Sequence, residues 1–200
     1  MSMPFYVDKN VLIPRPETEC MVEWILKNAD IHPESRILDL GTGSGCIAAT
    51  ILKNTALNEI FISDISQEAL NIAEINLKSL CPEKRYTAVK SSLFENIQEM
   101  DFDLIVSNPP YIKRELLKSL MPEITEFEPR IALDGGDSGD EIIHNLITES
   151  AGHLKKDALL VFEHSEDFNL KQDIVKDRFE VFILGRDYSD RYRFTVLKRK

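Results

Sequence analysis

The chain alternates short apolar runs with segments of helical periodicity, and that alternation constrains its fold more than any other feature. "SRILDL" (35–40), "EIFISDI" (59–65), "YTAVKS" (86–91), "FDLIVSN" (102–108) and "ALLVFEH" (158–164) read as strands. "GCIAATILKN" (45–54) reads as a helix, and "SQEALNIAEINLKSL" (66–80) starts on a Ser N-cap and sets Leu70, Ala73, Leu77 and Leu80 on one face. Further helices are expected near 138–155 and 168–177, and strands at "FEVFILG" (179–185) and "YRFTVLKR" (192–199). Strands that are apolar throughout belong to a mostly parallel sheet covered on both faces. The last two are joined by "RDYSDR", too short for a crossover helix, so they pair antiparallel. The expected class is α/β, a doubly wound sheet with an antiparallel pair at its C-terminal end. Ligands of such sheets bind at the carboxyl ends of the strands, near the point where strand order reverses.

Two hundred residues suit one domain, taken as 1–200, with a substantial core. No apolar run approaches the about eighteen residues of a membrane span, and "MSMPFYVDKN" lacks a signal-peptide pattern. Cys20, Cys46 and Cys81 form no CxxC pair, and His32, His144, His153 and His164 are scattered, so no metal site is expected. Reduced thiols suit a cytoplasmic location. A net charge of −10 argues against a phosphate-gripping surface and makes direct nucleic-acid binding the less favoured reading.

"LDLGTGSGC" (38–46) lies between the first core strand and a helix. Its glycines at 41, 43 and 45 permit a tight turn and close approach of a ligand. A dinucleotide fingerprint starting at Gly41 needs glycine at 46, where Cys46 stands, and no lysine completes a P-loop. What is left is GxGxG with Asp39 before it and Asp64 closing the next strand. Asp64 is placed to accept from both hydroxyls of a ribose, and Asp39 to face an ammonium group. A ligand with a ribose, a positive charge and no phosphate is S-adenosylmethionine.

"SNPPYI" (107–112) ends the fourth strand beside that loop. Pro109 and Pro110 lack N–H groups and keep Asn108 out of helical conformation. The Asn108 oxygen and the Pro109 carbonyl then form adjacent acceptors, with the Tyr111 ring expected as a flat face above them. Two acceptors and a ring suit a planar substrate bearing NH₂, which they orient for methyl transfer without a strong base.

These residues resemble the amino-methyltransferases that use an [N/D/S]PP[Y/F/W] turn. With "VLIPRPETE" (11–19), "LDLGTGSG" (38–45) and "EPRIALDGGDSG" (128–139), the chain resembles more narrowly the HemK/PrmC family of release-factor glutamine N5-methyltransferases. The resemblance implies a Rossmann-like fold of seven strands and S-adenosylmethionine as methyl donor, leaving S-adenosylhomocysteine. It implies the GGQ glutamine of a peptide-chain release factor as the acceptor. It implies that Gly41, Thr42, Gly43, Ser44 and Gly45 wrap the methionine part and that Asp64 holds the ribose. Asn108 then fixes the glutamine amide while adjoining the cofactor, and Pro109, Pro110 and Tyr111 complete the slot. In "KSSLFEN" (90–96), Leu93 is implied near the adenine with Phe94 as the adjacent ring. The resemblance also makes "PRPETE" a lid over the cofactor.

Three departures accompany the match. The family's N-terminal helical domain has no counterpart in 1–200, Ser92 stands where Asp is common, and "FEHSED" (162–167) replaces Glu-x-Gly. "DGGDSGDE" (134–141) reads as a mobile turn bordering the substrate. Two other functions use the same residues: an adenine-N6 or guanine-N2 methyltransferase of RNA or DNA, and a non-catalytic cofactor-binding subunit.

Overall fold

The computed structural model describes residues 3–200; Met1 and Ser2, inside the expected 1–200 domain, lie outside the described residues. Strand β1 (Ile37–Leu40) is buried at all four positions and lies near the middle of the sheet. Parallel to it run β2 (Glu59–Asp64) and, beyond that, β3 (Arg85–Lys90). The chain then returns to lay β4 (Phe102–Ser107) on the other side of β1, with β5 (Leu154–Glu163) parallel beyond it. Strand β7 (Tyr192–Arg199) follows, antiparallel to both β5 and the edge strand β6 (Phe179–Arg186). The order of the seven strands is thus β3-β2-β1-β4-β5-β7-β6. The mostly parallel sheet with an antiparallel C-terminal pair is the architecture expected.

The reversal of order between β1 and β4 opens a crevice at their carboxyl ends. There the Ser107 hydroxyl donates to the Leu40 carbonyl at 2.7 Å. Strand alternation divides β1 between two cores. Ile37 packs with α1 (Pro16–Asn28), α2 (Cys46–Asn54) and α3 (Gln67–Leu80), through Met21, Ile51 and Leu77 among others. Leu38 and Leu40 pack on the other face with α5 (Glu141–Ser150), through Ile143 and Ile147. Burying one such side chain contributes roughly 1.5–3 kcal/mol, so the two layers fix the sheet firmly. Asp39 falls on the same side as Ile37, below the start of α2, and that placement decides its surroundings.

The helices begin where the sequence signals. Pro16 occupies the first turn of α1, and Ser66 accepts from the Ala69 N–H at the start of α3. Two expectations change. The helix near 168–177 is only α6 (Gln172–Val175), because the residues before it are held by tertiary contacts. The Phe168 ring packs edge-on against Phe162, 5.9 Å between centroids, and lies 4.7 Å from His164. The stretch after the Asn-Pro-Pro-Tyr turn also carries unexpected order: 3-10 turns at Arg114–Ser119 and Arg130–Ala132 flank α4 (Pro122–Phe127).

Candidate active site

At the crevice the glycine loop makes a sharp bend. Gly41, Gly43 and Gly45 all have positive φ, at 72°, 54° and 77°. The Gly41 and Thr42 N–H groups donate to the Ser63 carbonyl at the end of β2, and the Gly43 N–H donates to Asp64 Oδ2 at 3.0 Å. A side chain at Gly45 would sit 3.1 Å from the Ala73 Cα and Cβ, so the loop presses directly on α3. Asp64 Oδ1 accepts from the Ser66 N–H at 2.9 Å, so this carboxylate ties the loop to the helix start.

Beside the loop a cavity of about 300 Å³ is lined by Gly41, Thr42, Gly43, Ser44, Asp64, Leu93, Asn108, Pro109 and Pro110. Asn108 donates through Nδ2 to Thr18 Oγ1 at 3.1 Å, and the Thr18 hydroxyl donates to Glu163 Oε2 at 2.6 Å. The Tyr111 hydroxyl donates to Glu163 Oε1 at 2.9 Å. Among the described residues neither Asn108 Oδ1 nor the Pro109 carbonyl accepts a hydrogen bond. Asn10 and Leu12 also belong to the wall, as do Pro129, Ile131 and Ala132. Arg15 joins these two flanks: its Nη2 lies 2.7 Å from both oxygens of Glu128, whose side chain is 2% exposed.

Residues 17–125 match the methyltransferase small domain family. The chain belongs to this family. A release factor glutamine methyltransferase of Clostridium acetobutylicum is 37% identical over 169 residues, covering 84% of this chain and 59% of that protein. A ribosomal protein uL3 glutamine methyltransferase of Francisella tularensis is 36% identical, covering 81% of this chain and 52% of that protein. The chain therefore spans under three fifths of the length of these curated relatives. The crystal structure of a ribosomal protein L11 methylase from Lactobacillus delbrueckii superposes with a TM-score of 0.65 at 22% identity. It covers 92% of this chain and 79% of that one, a likeness of fold.

Within this methyltransferase domain four expected site residues stand behind the cavity wall. Gly45 caps α2 and faces Ala73. Asp39 is fully buried: its Oδ2 accepts from the Thr42 hydroxyl at 2.7 Å and the Ala48 N–H at 3.1 Å, holding the loop from beneath. Its Oδ1 has no partner. Tyr111 is not the flat face expected over the acceptors, because the buried Glu163 carboxylate draws its hydroxyl inward. Phe94 is not beside the cavity either. Leu93 takes a left-handed turn, φ 47°, and Phe94 enters the core to stack on His153 at 4.5 Å.

Sequence reasoning missed Thr18 and Glu163. Thr18 was hidden in a helix start, and Glu163 in a departure from the family's usual residues. The available signal was a carboxylate closing an otherwise apolar strand, since such a group needs donors once buried. The "DGGDSGDE" turn is braced rather than loose. The Gly135 N–H donates to the Ile112 carbonyl at 2.9 Å, the Ile112 N–H to the Leu133 carbonyl at 3.0 Å, and the Arg114 N–H to the Gly136 carbonyl at 2.9 Å. A Cβ at Gly135 would lie 2.7 Å from the Tyr111 Cα and 2.4 Å from the Gly139 carbonyl oxygen. We expect Gly135→Ala to shift the proline turn, abolishing most methyl transfer while calorimetry still detects cofactor binding. Full activity in this variant would show that the turn does not depend on the brace.

Electrostatics at the loop follow burial. Loss of water pushes the Asp39 carboxyl up to about 7, its bonds from Thr42 and Ala48 pull the other way, and the Asp64 charge adds a smaller upward push. Asp64 is also raised, chiefly by burial, against the Ser66 and Gly43 N–H donors. For Asp39 the folded pKa exceeds the unfolded value of about 3.9, so its contribution favours folding at low pH and fades as pH rises toward 7. Asp39→Asn mimics the protonated form. Without cofactor, chemical denaturation should show the variant matching the parent only below about pH 4, gaining on it steadily from there to about pH 7, and keeping a constant lead above that. A gap independent of pH would contradict this.

Proposed function

We propose that this domain transfers a methyl group from S-adenosylmethionine to the side-chain amide nitrogen of a glutamine, that of the GGQ motif in a peptide-chain release factor. One observation carries the reading: two unclaimed acceptors, Asn108 Oδ1 and the Pro109 carbonyl, share a cavity with a glycine loop closed by the half-buried Asp64 carboxylate. The names of the curated relatives support glutamine as the acceptor. A release factor acts where ribosomes do, which sets the location as the cytoplasm. Among the described residues no helix is long and apolar enough to cross a membrane.

The wall suits the cofactor. Gly41 and Gly43 leave open backbone, Asp64 is a half-buried acceptor fit for a ribose diol, and Leu93 and Ile65 offer apolar contact to a flat base. Where Asp39 is ionised, above about pH 7, its unpartnered Oδ1 adds negative potential near the loop, favouring a cationic ligand. Bound there, S-adenosylmethionine supplies a methyl group on a cationic sulfonium and leaves as S-adenosylhomocysteine. An amide nitrogen is a poor nucleophile because its lone pair is delocalised. Asn108 Oδ1 and the Pro109 carbonyl accept its two N–H groups, hold the nitrogen in place and favour the pyramidal geometry in which the lone pair is free. Such positioning by fixed dipoles supplies the rate without a strong base, and the cationic N-methylated amide, now strongly acidic, then releases one N–H proton to water.

The test is a transfer assay with labelled S-adenosylmethionine. The acceptors are a release factor, the same factor with its GGQ glutamine changed to alanine, ribosomal protein uL3 and total RNA. Label on the intact factor alone supports the reading. Label on uL3 retains glutamine chemistry and changes the partner; label on RNA moves the acceptor to a nucleobase amine. Cofactor binding with no label anywhere refutes it.

A further inference from the structure

We infer that Thr18 and Glu163 are positioning residues that decide which end of the Asn108 side-chain amide faces the cavity. The two ends of an asparagine amide have nearly the same shape and opposite hydrogen-bonding character. A slot that must accept N–H groups works with Oδ1 inward and fails with Nδ2 inward, since two donors would then meet. Nothing in Asn108 itself makes that choice.

The surroundings make it. Glu163 closes β5, is 1% exposed, and receives one hydroxyl on each oxygen: Thr18 from α1 at 2.6 Å and Tyr111 at 2.9 Å. An ionised carboxylate offers only lone pairs, so Thr18 must give it the single hydroxyl proton it owns. Toward Asn108, 3.1 Å away, Thr18 then has only lone pairs left. The Asn108 end at Thr18 must be the NH₂, and the oxygen is turned to the cavity. The polarity of the catalytic amide is thus set two hydrogen bonds away.

The groups facing Glu163 are Thr18 and Glu17 of α1, Cys46 at the start of α2, Tyr111 after β4 and Arg193 of β7. Arg193 favours the charged form; burial, the larger influence, and Glu17 oppose it. When Glu163 takes up a proton the chain of bonds can reverse: Glu163 donates to Thr18, Thr18 to Asn108, and the amide turns a donor inward. The rate should therefore decline on the acid side for a reason that lies outside the substrate.

The inference rests on the proposed glutamine chemistry for its rate readouts and is independent of it for its spectroscopic one. In Thr18→Val the hydroxyl is lost at nearly constant volume; in Thr18→Ser it is kept. We expect kcat to fall roughly tenfold to a hundredfold in the valine variant, the cost of an unheld polar group, with most of that loss recovered in the serine variant. The melting temperature should fall in the valine variant, because a buried Glu163 oxygen loses its donor, and recover in the serine variant. The calorimetric affinity for S-adenosylmethionine, measured because Thr18 also lines the cavity, should change less than kcat does. The acid limb of the kcat profile should disappear in the valine variant, because Glu163 no longer reaches Asn108. Without any acceptor substrate, the Asn108 ¹⁵N–¹H₂ signals, assigned by their loss in Asn108→Asp, should move in Thr18→Val and not in Thr18→Ser. Unmoved signals in the valine variant overturn the inference, as do parental kcat and acid limb. If the parent protein methylates no release factor, the proposed function fails and the amide signals still decide this question.

Discussion

Replacing Asn108 with alanine is expected to lower methyl transfer by roughly 10²–10³-fold, the range found when one preorganised hydrogen-bonding partner is removed from a transition state. The effect falls on kcat, because the acceptor matters most as the nitrogen turns pyramidal. The fold should survive: Asn108 follows β4 instead of lying within it, and it donates one hydrogen bond, to Thr18. Single-turnover measurement at saturating cofactor, with melting temperature as control, checks the expectation. A loss confined to the affinity for the acceptor protein would mean that Asn108 only helps substrate to dock.

Asp64→Ala acts on the other partner. Hydrogen bonds to a charged group are each worth about 1.5–3 kcal/mol, so losing the proposed ribose contacts should weaken S-adenosylmethionine binding roughly a hundredfold. The Gly43 and Ser66 N–H groups lose their acceptor as well, so the loop loosens with the ligand contact. Isothermal titration calorimetry separates this from Asn108→Ala, whose cofactor affinity should change far less. If Asp64→Ala binds cofactor as the parent does, the ribose lies elsewhere along the wall.

What the sequence disclosed and what it hid follow from the range of the interactions. The strands and long helices were legible because their periodicity is local. The glycine loop and Asp64 were legible because strand ends and turns bring them together whenever the sheet is parallel. Asp39 was placed on the right strand, but the alternation that sends Leu38 and Leu40 to one core sends Asp39 beneath α2, behind the wall. The Thr18–Glu163 contact spans 145 residues, Asn108–Thr18 spans 90, and Tyr111–Glu163 spans 52. No local pattern encodes such meetings. Phe94 shows the same limit at short range, since one left-handed residue before it redirects an aromatic ring from the ligand side to the core.

The bridge between Arg15 and Glu128 has a consequence in time rather than in strength. It fastens the segment before α1 to the turn that carries Pro129, and both flanks contribute to the cavity wall. A carboxylate held almost out of water releases its cation only by crossing a barrier, because both charges must be rehydrated separately on the way. On the proposed reading, a molecule seated between those flanks would exchange only as fast as the bridge opens. Asp64 and the glycine loop would set how tightly it is gripped, so residence and affinity would answer to different residues of one cavity.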